Sequence, residues 1–115
     1  MTRRRGIRIP KRVKVGGRVY RVREGYAFKE RSDADGMCDG DTLEIRLAGV
    51  ANGNCPLAPA VVEETFIHEL LHAVDETYNA GAMSRVSHDS LTCIACGLYQ
   101  VLCDNKILRT HRKRG

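Results

Sequence analysis

Polar and apolar residues alternate in the first half of the chain, which predicts β-strands. Four valines are separated by polar, mostly basic residues: Val13, Val15, Val19 and Val22. Strand side chains point alternately to the two faces, so this pattern favours two short strands. Gly16-Gly17 lies between the two runs, and a Gly-Gly pair suits a tight type I′ hairpin turn. We therefore expect a hairpin with strands at about 12–15 and 18–24.

A third alternating run occupies residues 42–47. Leu43, Ile45 and Leu47 are separated by polar residues and would share one face of a strand. Turn-forming residues precede this run at 31–36, and Gly, Asn and Pro follow it within 48–58, so we expect loops on both sides. The three strands together predict a small antiparallel sheet.

Apolar residues at helical spacing predict two helices in the second half. The first is expected from Pro59, which suits a first turn, to about Tyr78, and Gly81 follows its end. Its apolar stripe comprises Ile67, Leu70, Leu71, Val74 and Tyr78. The second should begin after Ser87, a good N-cap, and continue to about Asn105. Its apolar face comprises Leu91, Ala95, Leu98 and Leu102. The fold class predicted is α+β, a three-stranded antiparallel sheet packed on two helices.

Composition agrees with one ordinary globular domain. The chain has 115 residues, of which 43% are hydrophobic and 29% charged. No apolar run approaches the ~18 residues that span a bilayer, and no secretory signal is visible, so we expect a cytoplasmic protein without membrane contact. The odd number of cysteines, five, then favours free thiols. Cys93 and Cys96 form a single C-x-x-C, a weak indication of a structural metal site or redox pair.

Charge is strongly segregated along the sequence. Residues 1–23 contain ten Arg or Lys and no acid, and residues 106–115 contain five more and no acid. Residues 24–105 hold all 14 acids and four bases, a net charge of −10. We divide the chain into a basic arm (1–11), a folded domain (12–105) and a basic tail (106–115) expected to be disordered. The arms either keep the protein soluble or bind nucleic acid or another polyanion.

The first predicted helix contains His68-Glu69-Leu70-Leu71-His72, an H-E-x-x-H motif. Residues four apart leave the same helix face, so both imidazoles can bind one metal ion. Glu69 would lie beside the open side of the metal, where it can accept a proton from water. The motif therefore predicts a catalytic zinc site, with Glu69 as general base.

A catalytic zinc ion usually has three protein ligands, so a third is needed. A continuation as H-x-x-G-x-x-H is excluded, because those two positions are Asp75 and Tyr78. The second predicted helix offers His88 and Asp89 in its first turn. His88 falls on the same face as the apolar residues of that helix, and Asp89 points about 100° away, so His88 is preferred. Asp89 is the main alternative; Asp75, Glu76 or water are the others.

Two segments carry a resemblance to a known family. Residues 64–75 (ETFIHELLHAVD) and 97–105 (GLYQVLCDN) resemble the small zincin-type metallopeptidase domains found mainly in bacteriophage genomes. The resemblance covers about residues 13–105. These small domains are similar to minigluzincins and, more distantly, to SprT-like proteases. It implies a zinc-dependent peptidase with about three strands, an active-site helix and a ligand-bearing helix. Members often have Glu as third ligand, where this chain has His88-Asp89.

The motif and the resemblance together predict a zinc-dependent endopeptidase acting on peptide or protein substrates. Tyr78 or Tyr99 is expected to donate to the oxyanion, and the strand at 42–47, if at the sheet edge, to pair with an extended substrate. The alternative is a protein that binds nucleic acid or a host factor through a structural or vestigial zinc site. The sequence is compatible with a monomer or a small homo-oligomer.

Overall fold

The computed structural model describes residues 6–28, 35–50 and 55–105. Four strands occur in these residues: β1 (Arg12–Val15), β2 (Arg18–Tyr26), β3 (Gly36–Asp39) and β4 (Glu44–Ala48). Three helices follow: α1 (Pro59–Asn79), α2 (Ala82–Val86) and α3 (His88–Asp104). The α+β class predicted from the sequence is confirmed. None of these helices has the length and apolarity needed to cross a membrane.

The sheet differs from the predicted one in strand number and direction. It has four strands in the order β1-β2-β4-β3. β1 pairs with β2 and β3 with β4 in antiparallel fashion, but β2 and β4 run parallel. The prediction of a three-stranded antiparallel sheet was therefore wrong. The chain passes from β2 to the far edge, forms β3, and turns back so that β4 fills the gap beside β2.

The turn between β3 and β4 explains why β4 begins later than predicted. The Asp39 Oδ1 atom accepts hydrogen bonds from the backbone N–H groups of Asp41 and Thr42, at 3.0 and 3.2 Å. Leu43 takes a left-handed conformation with φ of 56°. Thr42 and Leu43 thus belong to the turn. The prediction that Ile45 and Leu47 point to the same face of the strand is confirmed, because both side chains are fully buried in the core.

The β1–β2 hairpin has the predicted strands but a different turn. Gly16 has a φ of 63°, whereas Gly17 is not among the residues with positive φ. A type I′ turn needs positive φ at both central residues, so the type I′ prediction was wrong.

The core lies between the helices and one face of the sheet. Its buried apolar members include Val15, Tyr20, Val22, Ile45, Leu47, Phe66, Ile67, Ala73 and Ala95. The predicted stripe of α1 is only partly correct: Ile67 is buried, but Val74 and Tyr78 are 38% and 71% exposed. The buried face of the helix is instead centred on Phe66, Ile67 and Ala73. In α3, Leu91 and Ala95 are buried as predicted, whereas Leu98 is exposed.

Ser87 caps α3 as predicted, since its Oγ atom accepts from the Ser90 backbone N–H at 3.1 Å. The short helix α2 precedes this cap and was not predicted. It begins after two residues with left-handed backbone, Ala80 (φ 52°) and Gly81 (φ 70°), which turn the chain sharply at the end of α1.

Part of the segment assigned to the basic arm packs on the domain. Ile7 is 2% exposed, and its backbone N–H donates to the Glu63 Oε1 atom at 3.2 Å. The Tyr99 hydroxyl donates to the same oxygen at 2.7 Å. Burial, together with the Glu63 carboxylate, raises the pKa of Tyr99. The folded body thus extends at least to Gly6, while residues 1–5 and the tail at 106–115 lie outside the described residues.

Candidate metal centre

Three imidazoles converge where α1 meets α3. His68 and His72 lie one turn apart on α1, and His88 is the first residue of α3. The His68 Nε2 atom is 3.2 Å from the Nε2 atoms of both His72 and His88. One ring nitrogen from each residue lies within 4.8 Å of the others. The structure therefore brings together the three residues that the sequence predicted as metal ligands.

The spacing of these nitrogens fits a tetrahedral zinc ion. Two nitrogens at ~2.0–2.1 Å from such an ion lie about 3.3–3.4 Å apart, close to the 3.2 Å observed here. Three protein nitrogens with a fourth position left for water or substrate are the donor set of a catalytic zinc site rather than a structural one. The residues present thus fit zinc.

The environment keeps the rings ready to bind a cation. Burial, assisted by the neighbouring His72 and His88, lowers the pKa of His68 to about 4. Burial and His88 also lower the pKa of His72, against the opposite effect of Asp75 and Glu76. Both rings are therefore neutral at pH 7 and offer lone pairs, which metal binding requires.

Ser84 of α2 fixes the tautomer of His72. The Ser84 hydroxyl donates to the Asp75 Oδ2 atom at 2.8 Å, so its oxygen is left as an acceptor toward His72. The His72 Nδ1 atom lies 2.9 Å from this oxygen and must carry the proton. The Nε2 atom of His72 then presents its lone pair to the other two imidazoles.

Asp75 anchors α2 rather than joining the metal ligands. Its carboxylate also accepts from the Ser84 and Met83 backbone N–H groups, at 2.9 and 3.1 Å, and from the Asn79 side chain at 2.8 Å. Burial would raise the pKa of Asp75, but these hydrogen bonds outweigh it and lower the pKa to about 2. Both oxygens of the ionised carboxylate thus accept hydrogen bonds, and those from Ser84 hold its hydroxyl beside His72.

The other alternative ligands lie outside the imidazole cluster. Asp89 is exposed in the first turn of α3, where its charge favours the positive end of the helix dipole. Glu76 lines the neighbouring cleft but does not join the cluster. Across residues 6–28, 35–50 and 55–105, the three histidines form the one group of three or more potential metal ligands.

A cleft of about 820 Å³ opens beside the three imidazoles. Glu69 lines it and is 7% exposed. One wall is β3, the edge strand next to β4, and the opposite wall is formed by α1 and α3. Neither Tyr78 nor Tyr99, the predicted oxyanion donors, is among its lining residues; Tyr20 and Arg18 of β2 are.

Sequence reasoning missed three residues that shape this site: Gly36, Cys38 and Ser84. A Cβ atom at Gly36 would lie 2.6 Å from the Thr65 Cγ2 atom and 3.1 Å from the Glu69 Cγ atom, so glycine lets β3 approach α1. Burial, with the charge of Glu69, raises the pKa of Cys38 to about 12, which keeps its thiol protonated. None stands in a recognisable motif, and only their positions in the folded chain reveal them.

The C-x-x-C pair lies on α3, where Cys96 lines the cleft and Cys93 does not. Cys93 and Cys96 are both exposed free thiols, which agrees with the expectation for the cysteines. A hydrogen bond to the Glu64 carboxylate raises the pKa of Cys96. The pair belongs to no group of three metal-ligating side chains in the described part of the chain.

Comparisons of the chain with protein-family models, curated proteins and solved structures gave no match. The function of the chain is therefore inferred from the arrangement of residues in the site.

Proposed function

We propose that the chain is a zinc-dependent peptidase with a zincin-like arrangement of its site. His68, His72 and His88 would hold the metal ion, and Glu69 would act as general base. The observation that carries the proposal is the convergence of three imidazole nitrogens at a cleft lined by the carboxylate of the H-E-x-x-H motif. A metal site that only stabilised the fold would need neither an open fourth coordination position nor a cleft beside it.

The residues of the cleft divide the chemistry between them. When bound, zinc supplies a Lewis acid that polarises a peptide carbonyl and makes water easier to deprotonate. Glu69 accepts the proton of the attacking water and passes it to the nitrogen of the departing amine. Arg18 is exposed and lines the same cleft, so it replaces Tyr78 and Tyr99 as the residue to consider as a donor to the carbonyl oxygen.

An extended substrate would pair with β3. The strand predicted for this role, at 42–47, corresponds to β4, which lies between β2 and β3 and has both edges occupied. Among the described strands β3 lies at the edge of the sheet, and Gly36, Met37 and Cys38 line the cleft. A peptide added along this edge would place its backbone beside Glu69 and the imidazoles.

Elemental analysis of the purified chain tests the first half of the proposal, with about one zinc ion per molecule expected. Hydrolysis of an unfolded protein such as casein tests the second half. Zinc at full occupancy without cleavage of casein or of a broad peptide library would favour a binding protein over an enzyme.

The fit between β3 and α1 leads to a prediction about Gly36. Gly36→Ala should lower stability by about 1–3 kcal/mol, because the added methyl group overlaps Thr65 and crowds Glu69. Peptidase activity should fall as well, since β3 moves away from the general base. Gly17→Ala is the matched control, as nothing lies within 4 Å of its added Cβ atom. Thermal unfolding of both variants measures the difference; equal midpoints would contradict the packing argument.

The contact between Ser84 and His72 leads to a second prediction. Ser84→Ala should weaken zinc binding by about 10–100-fold, because His72 loses the acceptor that orients its ring. Ser90→Ala removes a hydroxyl from α3 that bonds Ser87 and touches neither His72 nor Asp75, so its zinc affinity should be unchanged. Competition with a chromogenic chelator measures both affinities. Equal affinities in the two variants would exclude this role for Ser84.

A further inference from the structure

The β1–β2 hairpin presents a basic face on the side of the sheet away from the helices. Side chains alternate along a strand, and Val15, Tyr20 and Val22 are buried in the core. The residues between them face the other way and are exposed: Arg12, Lys14, Val19, Arg21 and Arg23. Four of these five side chains are cationic.

The two acids on this face of the sheet, Asp39 and Glu44, are paired with Arg46 and Arg23. The Glu44 Oε1 atom binds the Arg46 Nε atom at 2.9 Å, and its Oε2 atom lies 3.3 Å from Arg23. Asp39 pairs with Arg46 at 3.1 Å. The charges of Asp39, Glu44, Arg46 and Arg23 thereby cancel.

Three cations remain without an ion pair to any residue in the described ranges: Arg12, Lys14 and Arg21. Arg12 and Arg21 also lie directly opposite each other in the hairpin register. Like charges in that position repel each other and destabilise the strand pair. A bound polyanion would offset the repulsion between Arg12 and Arg21, because both cations would then be attracted to its negative charges.

The opposite side of the molecule has the reverse charge. The cleft beside the imidazoles is lined by Asp35, Asp41, Glu64, Glu69 and Glu76, with Arg18 as the one cation in that lining. A polyanion is therefore repelled from the cleft and attracted to the outer sheet face.

We propose that the outer face of the β1–β2 hairpin binds the phosphate backbone of nucleic acid without reading its sequence. Guanidinium and ammonium groups bind phosphates whatever the bases. The hairpin cannot enter a groove as a free two-stranded ribbon, because β2 is also paired with β4. This surface is separate from the metal centre, so the enzyme would cleave its substrate while attached to nucleic acid.

The test compares two variants of the full chain that lose the same charge. Arg12→Thr/Arg21→Thr removes two cations from the outer face. Arg18→Thr/Arg85→Thr removes two from elsewhere: Arg18 is on β2 but lines the cleft, and Arg85 is on α2. The segments 1–5 and 106–115 are identical in all proteins, so their contribution to binding cancels.

Fluorescence anisotropy with a mixed-sequence duplex DNA, measured between 50 and 200 mM salt, gives the salt dependence of the binding constant. The loss of two phosphate contacts should make the slope of log binding constant against log salt concentration shallower by about 1.8 in the outer-face variant. The control variant should keep the wild-type slope. At 50 mM salt the affinity of the outer-face variant should fall about tenfold or more. Zinc content should be the same in all three proteins.

An unchanged slope in the outer-face variant, or an equal loss in the control, would overturn the proposal. The proposal would also be overturned if polyglutamate displaced the duplex as effectively as unlabelled DNA does at equal charge concentration. The surface would then bind acidic proteins as well as it binds nucleic acid. Threonine suits a strand, and the repulsion between Arg12 and Arg21 is removed, so the unfolding midpoint should not fall. If it does, the single change Arg21→Gln, with an expected slope change of about 0.9, replaces the double variant.

Discussion

Replacing His88 with alanine is expected to remove most of the zinc from the purified protein. The His88 Nε2 atom lies 3.2 Å from that of His68, on a different helix from the other two imidazoles. Without it, two ligands from one helix remain, and two protein ligands hold zinc weakly. Elemental analysis after dialysis against buffer without metal should show a fall from about one zinc per chain to a small fraction.

Asp89→Ala is the matched control for this experiment. Asp89 follows His88 in the same first turn of α3, is exposed, and lies outside the imidazole cluster. Its loss should leave zinc occupancy unchanged and weaken α3 slightly through the helix dipole. Full zinc in His88→Ala with loss in Asp89→Ala would make Asp89 the third ligand. Full occupancy in His68→Ala/His72→Ala would eliminate the site altogether.

Local patterns in the sequence predicted the individual elements better than their arrangement. Alternation predicted β1, β2 and β4, and helical spacing with Pro59 and Ser87 predicted α1 and α3 within a few residues. β3 was missed because its four residues, from Gly36 to Asp39, follow a turn-rich segment and have no alternation. The parallel pairing of β2 with β4 depends on where β3 is inserted, so the strand order could not be predicted without it.

The placement of the three candidate ligands was predictable, because it depends on residue spacing within one helix and on the helical phase of another. The four-residue spacing placed His68 and His72 together, and the phase of α3 singled out His88 from Asp89. Ser84 was not predictable, because α2 is folded around the Asp75 carboxylate rather than by a sequence pattern of its own. Glu63 and Asp75, buried acids inside a helix, also explain why the apolar stripe predicted for α1 was displaced.

Glu69→Gln is expected to reduce peptide hydrolysis by about 10²–10⁴-fold while leaving zinc content and thermal stability near those of the wild type. Glutamine keeps the size of glutamate and its capacity for hydrogen bonding, but it does not accept a proton at neutral pH. Glu69 lies outside the imidazole cluster that would bind zinc, so metal affinity does not depend on it directly. Cleavage of casein or of a quenched fluorescent peptide library measures the rate.

Glu76→Gln provides the comparison within the same cleft. Glu76 is one turn of α1 beyond His72, lines the cleft and is exposed. Glu76→Gln therefore removes the same charge from the cleft as Glu69→Gln but leaves the carboxylate beside β3 in place. A general effect of cleft charge would lower the rate equally in both variants, whereas a general base at Glu69 requires the loss in Glu69→Gln alone. Equal cleavage by wild type and Glu69→Gln would show that another group removes the proton, because zinc and fold are the same in both proteins.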